Sequence, residues 1–82
     1  MSIVGSIHQS AARFLTDDRA ASAYVARRFR DLQALQQDLA DPDNVYARIQ
    51  RTESGIQIKT RTETLFAMSW TGAQAYILAR FW

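Results

Sequence analysis

The segment Asp41-Pro42-Asp43-Asn44 separates two stretches of this chain whose apolar residues follow different periods. Before it, apolar residues recur at spacings of three and four, which is typical of one face of a helix. After it, they alternate with polar residues, which is typical of half-buried strands. Pro42 lacks a backbone N–H and restricts the residue before it to extended conformations, so a helix must end here. The chain is therefore predicted to be α+β, with helix and sheet packed against each other.

The stretch before Pro42 predicts one long helix from about residue 17 to residue 40. Its apolar stripe consists of Ala21, Val25, Phe29, Leu32, Leu35 and Leu39. Thr16 is the predicted N-cap, because Asp17 and Asp18 then place negative charge in the first turn. A short helix over residues 3–15 precedes it, either as a separate helix or continuous with the long one through a kink.

The stretch after Pro42 predicts a three-stranded antiparallel sheet. Val45, Ala47 and Ile49 alternate with polar residues in the first strand, and Ile56 and Ile58 do so in the second. The segment 52–55 ends in glycine and predicts the turn between them. Residues 65–70 form a third strand. Because the segment 62–64 holds no residue typical of turns, one long bent strand is the alternative.

Thr71 and Gln74 resemble a capping box and predict a final helix over residues 72–81, with Ala73, Tyr76, Ile77, Arg80 and Phe81 on one face. A fourth strand is the rival interpretation, since tyrosine, isoleucine, phenylalanine and tryptophan all suit strands. The cap favours the helix. The predicted fold is a single domain over residues 1–82, in the order ααβββα, with a long N-terminal helical region packed on the sheet and a C-terminal helix closing it.

The residues that most enzymes and metal sites require are scarce. The chain has no cysteine, which excludes disulfides, a thiol nucleophile and zinc held by thiolates. Its one histidine, His8, has no acidic residue beside it, and its three glycines are isolated. The segment that contains Asp38, Asp41 and Asp43 has neither the glycine nor the closing glutamate of a calcium-binding loop. We therefore expect no catalysis, no cofactor and no metal.

The predicted hairpin has one strongly polar face. With the isoleucines turned to the core, the residues that face outward are Tyr46, Arg48, Gln50, Gln57, Lys59 and Arg61. This face carries three positive charges, no negative one and one aromatic ring. Like charges opposite each other across strands are unfavourable, so the face is a candidate partner-binding surface. The alternative is an ordinary solvated face whose charges keep the sheet from aggregating.

The chain also ends on large aromatic residues. Trp70, Phe81 and Trp82 either dock back onto the sheet and complete the core, or remain exposed as anchors for a partner or a second copy. The arginines at residues 27, 28 and 30 are predicted to lie on a solvated helix face that carries charges of both signs. On this face Arg27 can pair with Asp31, four residues later.

The order of helix, three strands and helix resembles that of double-stranded-RNA-binding domains. Those domains place a lysine-rich cluster at the start of the last helix, whereas residues 71–75 here contain no basic residue, so membership is not predicted. In size and composition the chain also resembles the small inhibitors that phages and mobile elements encode against host machinery, including anti-CRISPR proteins.

These features predict a non-enzymatic protein-binding module that acts by steric occlusion, as an inhibitor of a nucleic-acid-handling machine. Its partner would be an acidic surface of a protein or nucleoprotein. A direct nucleic-acid binder using the same hairpin face is the first alternative, although a net charge of +2 is small for that role. A self-associating structural protein that forms a homodimer is the second. No apolar stretch approaches the length of a membrane span, so we expect no membrane partner and a cytoplasmic location.

Overall fold

The computed structural model describes residues 11–44 and 47–82. The elements are helix α1 (Asp18–Arg27), helix α2 (Phe29–Ala40), strand β1 (Ala47–Thr52), strand β2 (Gly55–Thr60), strand β3 (Thr64–Ala67) and helix α3 (Trp70–Phe81). The predicted α+β order is confirmed. Most of the helix predicted over residues 3–15 lies outside the described residues, as do Val45 and Tyr46. Residues 11–13 are helical, and a turn at 14–16 separates them from α1.

The three strands form one antiparallel sheet in the order β1-β2-β3, so β2 is the central strand. Ile49 lies opposite Ile58, as the alternation of the hairpin predicts. The turn between β1 and β2 requires a glycine, since Gly55 has a φ of 123°, a conformation that other residues rarely adopt. The Thr52 hydroxyl accepts a hydrogen bond from the Ser54 N–H at 3.2 Å and donates one to the Gly55 carbonyl at 3.0 Å.

The chain also turns between β2 and β3, so the alternative of one long bent strand is wrong. The Thr60 hydroxyl accepts hydrogen bonds from the backbone N–H groups of Thr62 and Glu63, at 3.3 and 3.1 Å. A threonine side chain thus replaces the glycine or proline that most turns use. Strand β3 is shorter than the predicted segment 65–70, because α3 begins at Trp70.

The long helix predicted over residues 17–40 is interrupted at Arg28, which has φ −118° and ψ 42°. Its guanidinium donates to the Tyr24 hydroxyl at 2.6 Å, to the Asp31 carboxylate at 2.9 Å and to the Leu78 carbonyl at 3.2 Å. The predicted pair of Arg27 with Asp31 is therefore replaced by Arg28 with Asp31. Phe29, the first residue after this break, is 59% exposed, so its predicted place in the apolar stripe that faces the core is wrong.

The N-cap of α1 is Asp17 and not Thr16. An Asp17 carboxylate oxygen accepts a hydrogen bond from the Ala20 N–H at 3.0 Å, and Arg13 donates to the other oxygen at 3.1 Å. The Ala20 N–H and, to a smaller degree, Arg13 lower the pKa of Asp17 from its usual 3.8.

The N-cap of α3 is Ser69, so the predicted capping box of Thr71 and Gln74 is wrong. The Ser69 hydroxyl accepts from the Gly72 N–H at 3.0 Å and donates to the Asp18 carboxylate at 2.7 Å. This second bond joins the first turns of α1 and α3. Gln74 is instead turned inward and buried.

Helix α3 is the centre of the core and contacts α1, α2 and all three strands. Residues 72–78 are all buried, whereas the sequence predicted a single apolar face. A helix that is apolar nearly all round is typically surrounded by protein. The largest fully buried side chains are Leu35, Ile58, Ile77 and Leu78. The C-terminal helix therefore does more than close the domain, because both the helical region and the sheet pack on it.

The cap at Asp17 predicts a specific pH dependence of stability. Since the folded-state pKa lies below 3.8, the carboxylate stabilises the fold above that pH, and this contribution is lost as the pH falls below it. Asp17→Asn keeps a cap acceptor but does not titrate. We expect urea unfolding to show the wild type more stable than Asp17→Asn at pH 7, with the difference shrinking below pH 3.8. A difference that stays constant down to pH 2 would contradict this role.

Candidate basic and apolar interface on the sheet

The face of the sheet that points away from α3 is here called the outer face. Its residues are Arg48 and Gln50 on β1, Gln57 and Lys59 on β2, and Thr64 and Phe66 on β3. The strand register places Arg48 directly opposite Lys59, and it places Gln57 between Gln50 and Phe66. The face assignment predicted from the alternation is therefore correct for Arg48, Gln50, Gln57 and Lys59, whereas Arg61 lies beyond the end of β2.

Three of the predicted binding residues line one shallow cavity of about 270 Å³. These are Arg48, Gln50 and Lys59, and all three are exposed. The cavity is completed by Asn44, Ala47 and Thr60. Of the other predicted residues, Gln57 is half-buried and Arg61 is exposed in the turn after β2. Tyr46 lies outside the described residues.

The connection before β1 holds the guanidinium of Arg48 in place. Arg48 Nη2 donates to the Pro42 carbonyl at 3.1 Å and to the Asn44 carbonyl at 3.3 Å. Asn44 in turn fixes this connection to α2, because its side-chain amide donates to the Asp38 carbonyl at 2.9 Å. Both acceptors of Arg48 are neutral, so its positive charge is not balanced by them.

Lys59, the only lysine in the sequence, lies across from Arg48. Within residues 11–44 and 47–82, neither Arg48 nor Lys59 forms a salt bridge with a carboxylate. Two uncompensated cations thus occupy opposed positions at the same cavity. A carboxylate or phosphate group placed there would contact both, and an arginine can bind such a group through two parallel hydrogen bonds.

The outer face also carries an apolar part that was not predicted from the sequence. Phe66 is 49% exposed beside Gln57, and Met68, two residues further along the chain, is 67% exposed. The position of Phe66 could have been predicted, because Thr64 and Phe66 alternate with Leu65 and Ala67 along β3 and so lie on the opposite face of the sheet. The face thus combines cations on β1 and β2 with an aromatic ring on β3.

The predicted aromatic anchors do not form one patch. Trp70 begins α3, whereas Phe81 and Trp82 lie at its other end, roughly 17 Å along the axis. All three are exposed, with between 36% and 43% of the residue surface accessible. Arginine side chains lie over two of the rings: Arg51 over Trp70 at 5.4 Å and Arg80 over Phe81 at 5.3 Å. Self-association through the C-terminal aromatic residues stays a prediction.

The acidic segment before β1 has a local structural role. The Asp41 carboxylate accepts a hydrogen bond from the Asp43 N–H at 2.9 Å, which forms a turn. Among the described residues, no three side chains of the metal-ligating types lie together. None of the described helices has the length and apolar character that crossing a membrane requires. His8 lies outside the described residues.

No protein-family model, no curated protein and no solved structure is significantly similar to this chain.

Proposed function

We propose that this chain is a non-enzymatic binding module that attaches through its outer face to an acidic surface of a protein partner. One observation carries the proposal. Arg48 and Lys59 lie across from each other at one cavity, and no carboxylate of the described chain pairs with them.

The two parts of the face suit different steps of binding. The cations raise the rate of encounter with an acidic surface and fix its orientation. Phe66 and Met68 supply apolar area that leaves water when the partner docks. Because Arg48 is already held by two carbonyl groups, less side-chain entropy is lost when it binds.

The proposed mode of action is steric occlusion. A domain of 82 residues that covers an acidic surface prevents other molecules from reaching it. The partner class that we propose is a protein that handles nucleic acid, with inhibition of CRISPR-type machinery as one case. This extension rests on the size and composition of the chain and on its mildly basic outer face.

A pair of matched charge reversals tests the proposal. The variant Lys59→Glu/Arg61→Glu changes one cation of the outer face and one in the turn next to it, whereas Arg27→Glu/Arg30→Glu changes exposed helix positions and has the same net charge. We expect a quantitative pull-down from the native host to find proteins that the wild type and the helix variant retain. The face variant should bind them at least about tenfold more weakly, or ~1.4 kcal/mol.

Lys59→Glu places a carboxylate opposite Arg48, so the folded sheet should tolerate it. Circular dichroism and urea unfolding check that both variants fold. If the two variants bind the same partners with equal affinity, the outer face is not the binding surface.

Direct binding of nucleic acid through the same face is the second candidate, and the exposed Phe66 favours it. An aromatic ring on a sheet beside cations can stack on an unpaired base. Titration of labelled single-stranded and duplex DNA and RNA at two salt concentrations separates the candidates. Tight binding with a steep salt dependence would replace the protein-binding proposal by this one.

A further inference from the structure

A second concave site lies on the other side of β1, between the end of α2 and the start of α3. Ile49 contributes to it and alternates with Arg48 and Gln50, so the site is separated from the outer face by the sheet. It is a groove of about 310 Å³, lined by Gln36, Leu39, Ala40, Ile49, Trp70 and Gln74. Leu39, Ile49 and the Trp70 indole give it largely apolar walls.

The groove contains one buried polar group that has no partner among the described residues. Gln74 is 8% exposed and lines the groove, yet its carboxamide forms no hydrogen bond with any described residue. Buried polar side chains are nearly always paired, because an unpaired one is costly. No described residue pairs with Gln74, so its hydrogen-bond partner is water or a ligand that replaces the water. Its carboxamide offers both a donor and an acceptor, and another amide group matches it in both respects.

One cation lies beside the groove, against the Trp70 ring. Arg51 is exposed, and its guanidinium lies 5.4 Å from the centre of the Trp70 ring. Among the described residues no carboxylate forms a salt bridge with it. This cation–π contact favours the observed position of the guanidinium, whose N–H groups can donate to an anion.

We propose that this groove binds a short peptide segment of a partner protein. An aliphatic side chain packs among Leu39, Ile49 and Trp70, and the peptide amide pairs with the Gln74 carboxamide. An acidic residue next to that side chain faces Arg51. The volume suits one residue with its backbone, since whole small-molecule sites begin at roughly this size. The inference shares with the proposed function only the class of ligand, because it uses a different surface.

Nuclear magnetic resonance with a defined probe tests the groove. The probe is the capped dipeptide acetyl-Leu-Asp-amide, and acetyl-Leu-Lys-amide is its charge control. In ¹⁵N-labelled protein, the Gln74 side-chain amide and the Trp70 indole N–H should shift saturably on addition of the first peptide. The Trp82 indole, at the other end of α3, should not shift. The lysine peptide should bind about threefold more weakly or worse, because it is repelled by Arg51.

Weak sites of this size bind in the millimolar range, so unchanged Gln74 and Trp70 signals up to about 20 mM of the aspartate peptide would overturn the inference. Shifts of the Trp82 indole signal as large as those of Gln74 and Trp70 would also overturn it. The variant Lys59→Glu/Arg61→Glu should keep the groove signals. Loss of partner capture by that variant together with a silent groove would refute this inference and leave the proposed function standing.

Gln74→Leu provides a second, independent test. Leucine is close to glutamine in size but has no polar group, so the variant should fold, lose peptide binding and gain about 4 °C in Tm. Gln33→Leu, an exposed glutamine of α2 outside the groove, is the control and should leave Tm and peptide binding unchanged. A fall in the Tm of Gln74→Leu would mean that Gln74 is a paired structural group, and the inference would be wrong.

Discussion

Gly72→Ala is expected to lower the free energy of unfolding by about 2–3 kcal/mol, the cost of forcing an extra carbon into a packed contact. A Cβ atom at this position would lie 2.6 Å from the carbonyl oxygen of Phe14 and 3.3 Å from the Ser69 hydroxyl oxygen. The Phe14 oxygen belongs to the backbone, and the Phe14 ring packs on Tyr24 with ring centres 4.7 Å apart. The turn before α1 therefore cannot move away without disturbing this packing.

The direction of the stability change distinguishes steric crowding at Gly72 from an effect of helix propensity. Alanine is a better helix former than glycine by about 1 kcal/mol, so helix propensity alone predicts that Gly72→Ala stabilises the protein. Thr71→Ala, one residue earlier in the same turn of α3, is the matched control and should change stability by less than about 0.5 kcal/mol. Urea unfolding measures both. A Gly72→Ala protein as stable as the wild type would contradict the close approach of α3 to Phe14.

Arg28→Ala is expected to lower the free energy of unfolding by about 2 kcal/mol, in the range of a partly buried hydrogen bond to a charged group. The side chain joins three helices, because its acceptors are Tyr24 in α1, Asp31 in α2 and the Leu78 carbonyl in α3. Removing it leaves the Leu78 carbonyl and the Tyr24 hydroxyl without these contacts.

The neighbouring arginine is the natural control for this substitution. Arg27 is exposed in the last turn of α1, so Arg27→Ala should cost less than about 0.5 kcal/mol. Arg28→Lys should recover little of the loss, because an ammonium group cannot reach three acceptors in the geometry of the guanidinium. Equal stability of Arg27→Ala and Arg28→Ala in urea unfolding would show that the Arg28 side chain does not hold the three helices together.

The sheet was predictable because the alternation of apolar and polar residues along each strand is a local property of the sequence. Alternation with a period of two assigns Ile49, Ile58, Arg48 and Lys59 to their faces without knowledge of the rest of the fold. The turn at Thr60 was ambiguous in the sequence, because a threonine side chain forms it instead of glycine or proline.

The break at Arg28 could not be read in the same way. It accompanies a contact with Leu78, fifty residues away, and helix propensity does not contain that contact. Likewise, Gln74 looked like a capping residue from its spacing, and only the packing of α3 against α2 and β1 turns it into the groove. The cations of the candidate site were therefore predictable, whereas the cavity, the exposed Phe66 beside it and the groove required the folded chain.

Chemical labelling of Lys59 tests the binding role of the outer face most directly. Because Lys59 is the only lysine, an amine-acetylating reagent modifies this side chain and the N-terminal amine, and mass spectrometry quantifies both. The complex to use is the one captured by the wild type and by Arg27→Glu/Arg30→Glu. We expect acetylation of Lys59 to fall at least about tenfold in that complex relative to the free protein, as for a side chain at the centre of an interface. Equal acetylation of Lys59 in the free and bound protein would place the partner on another surface.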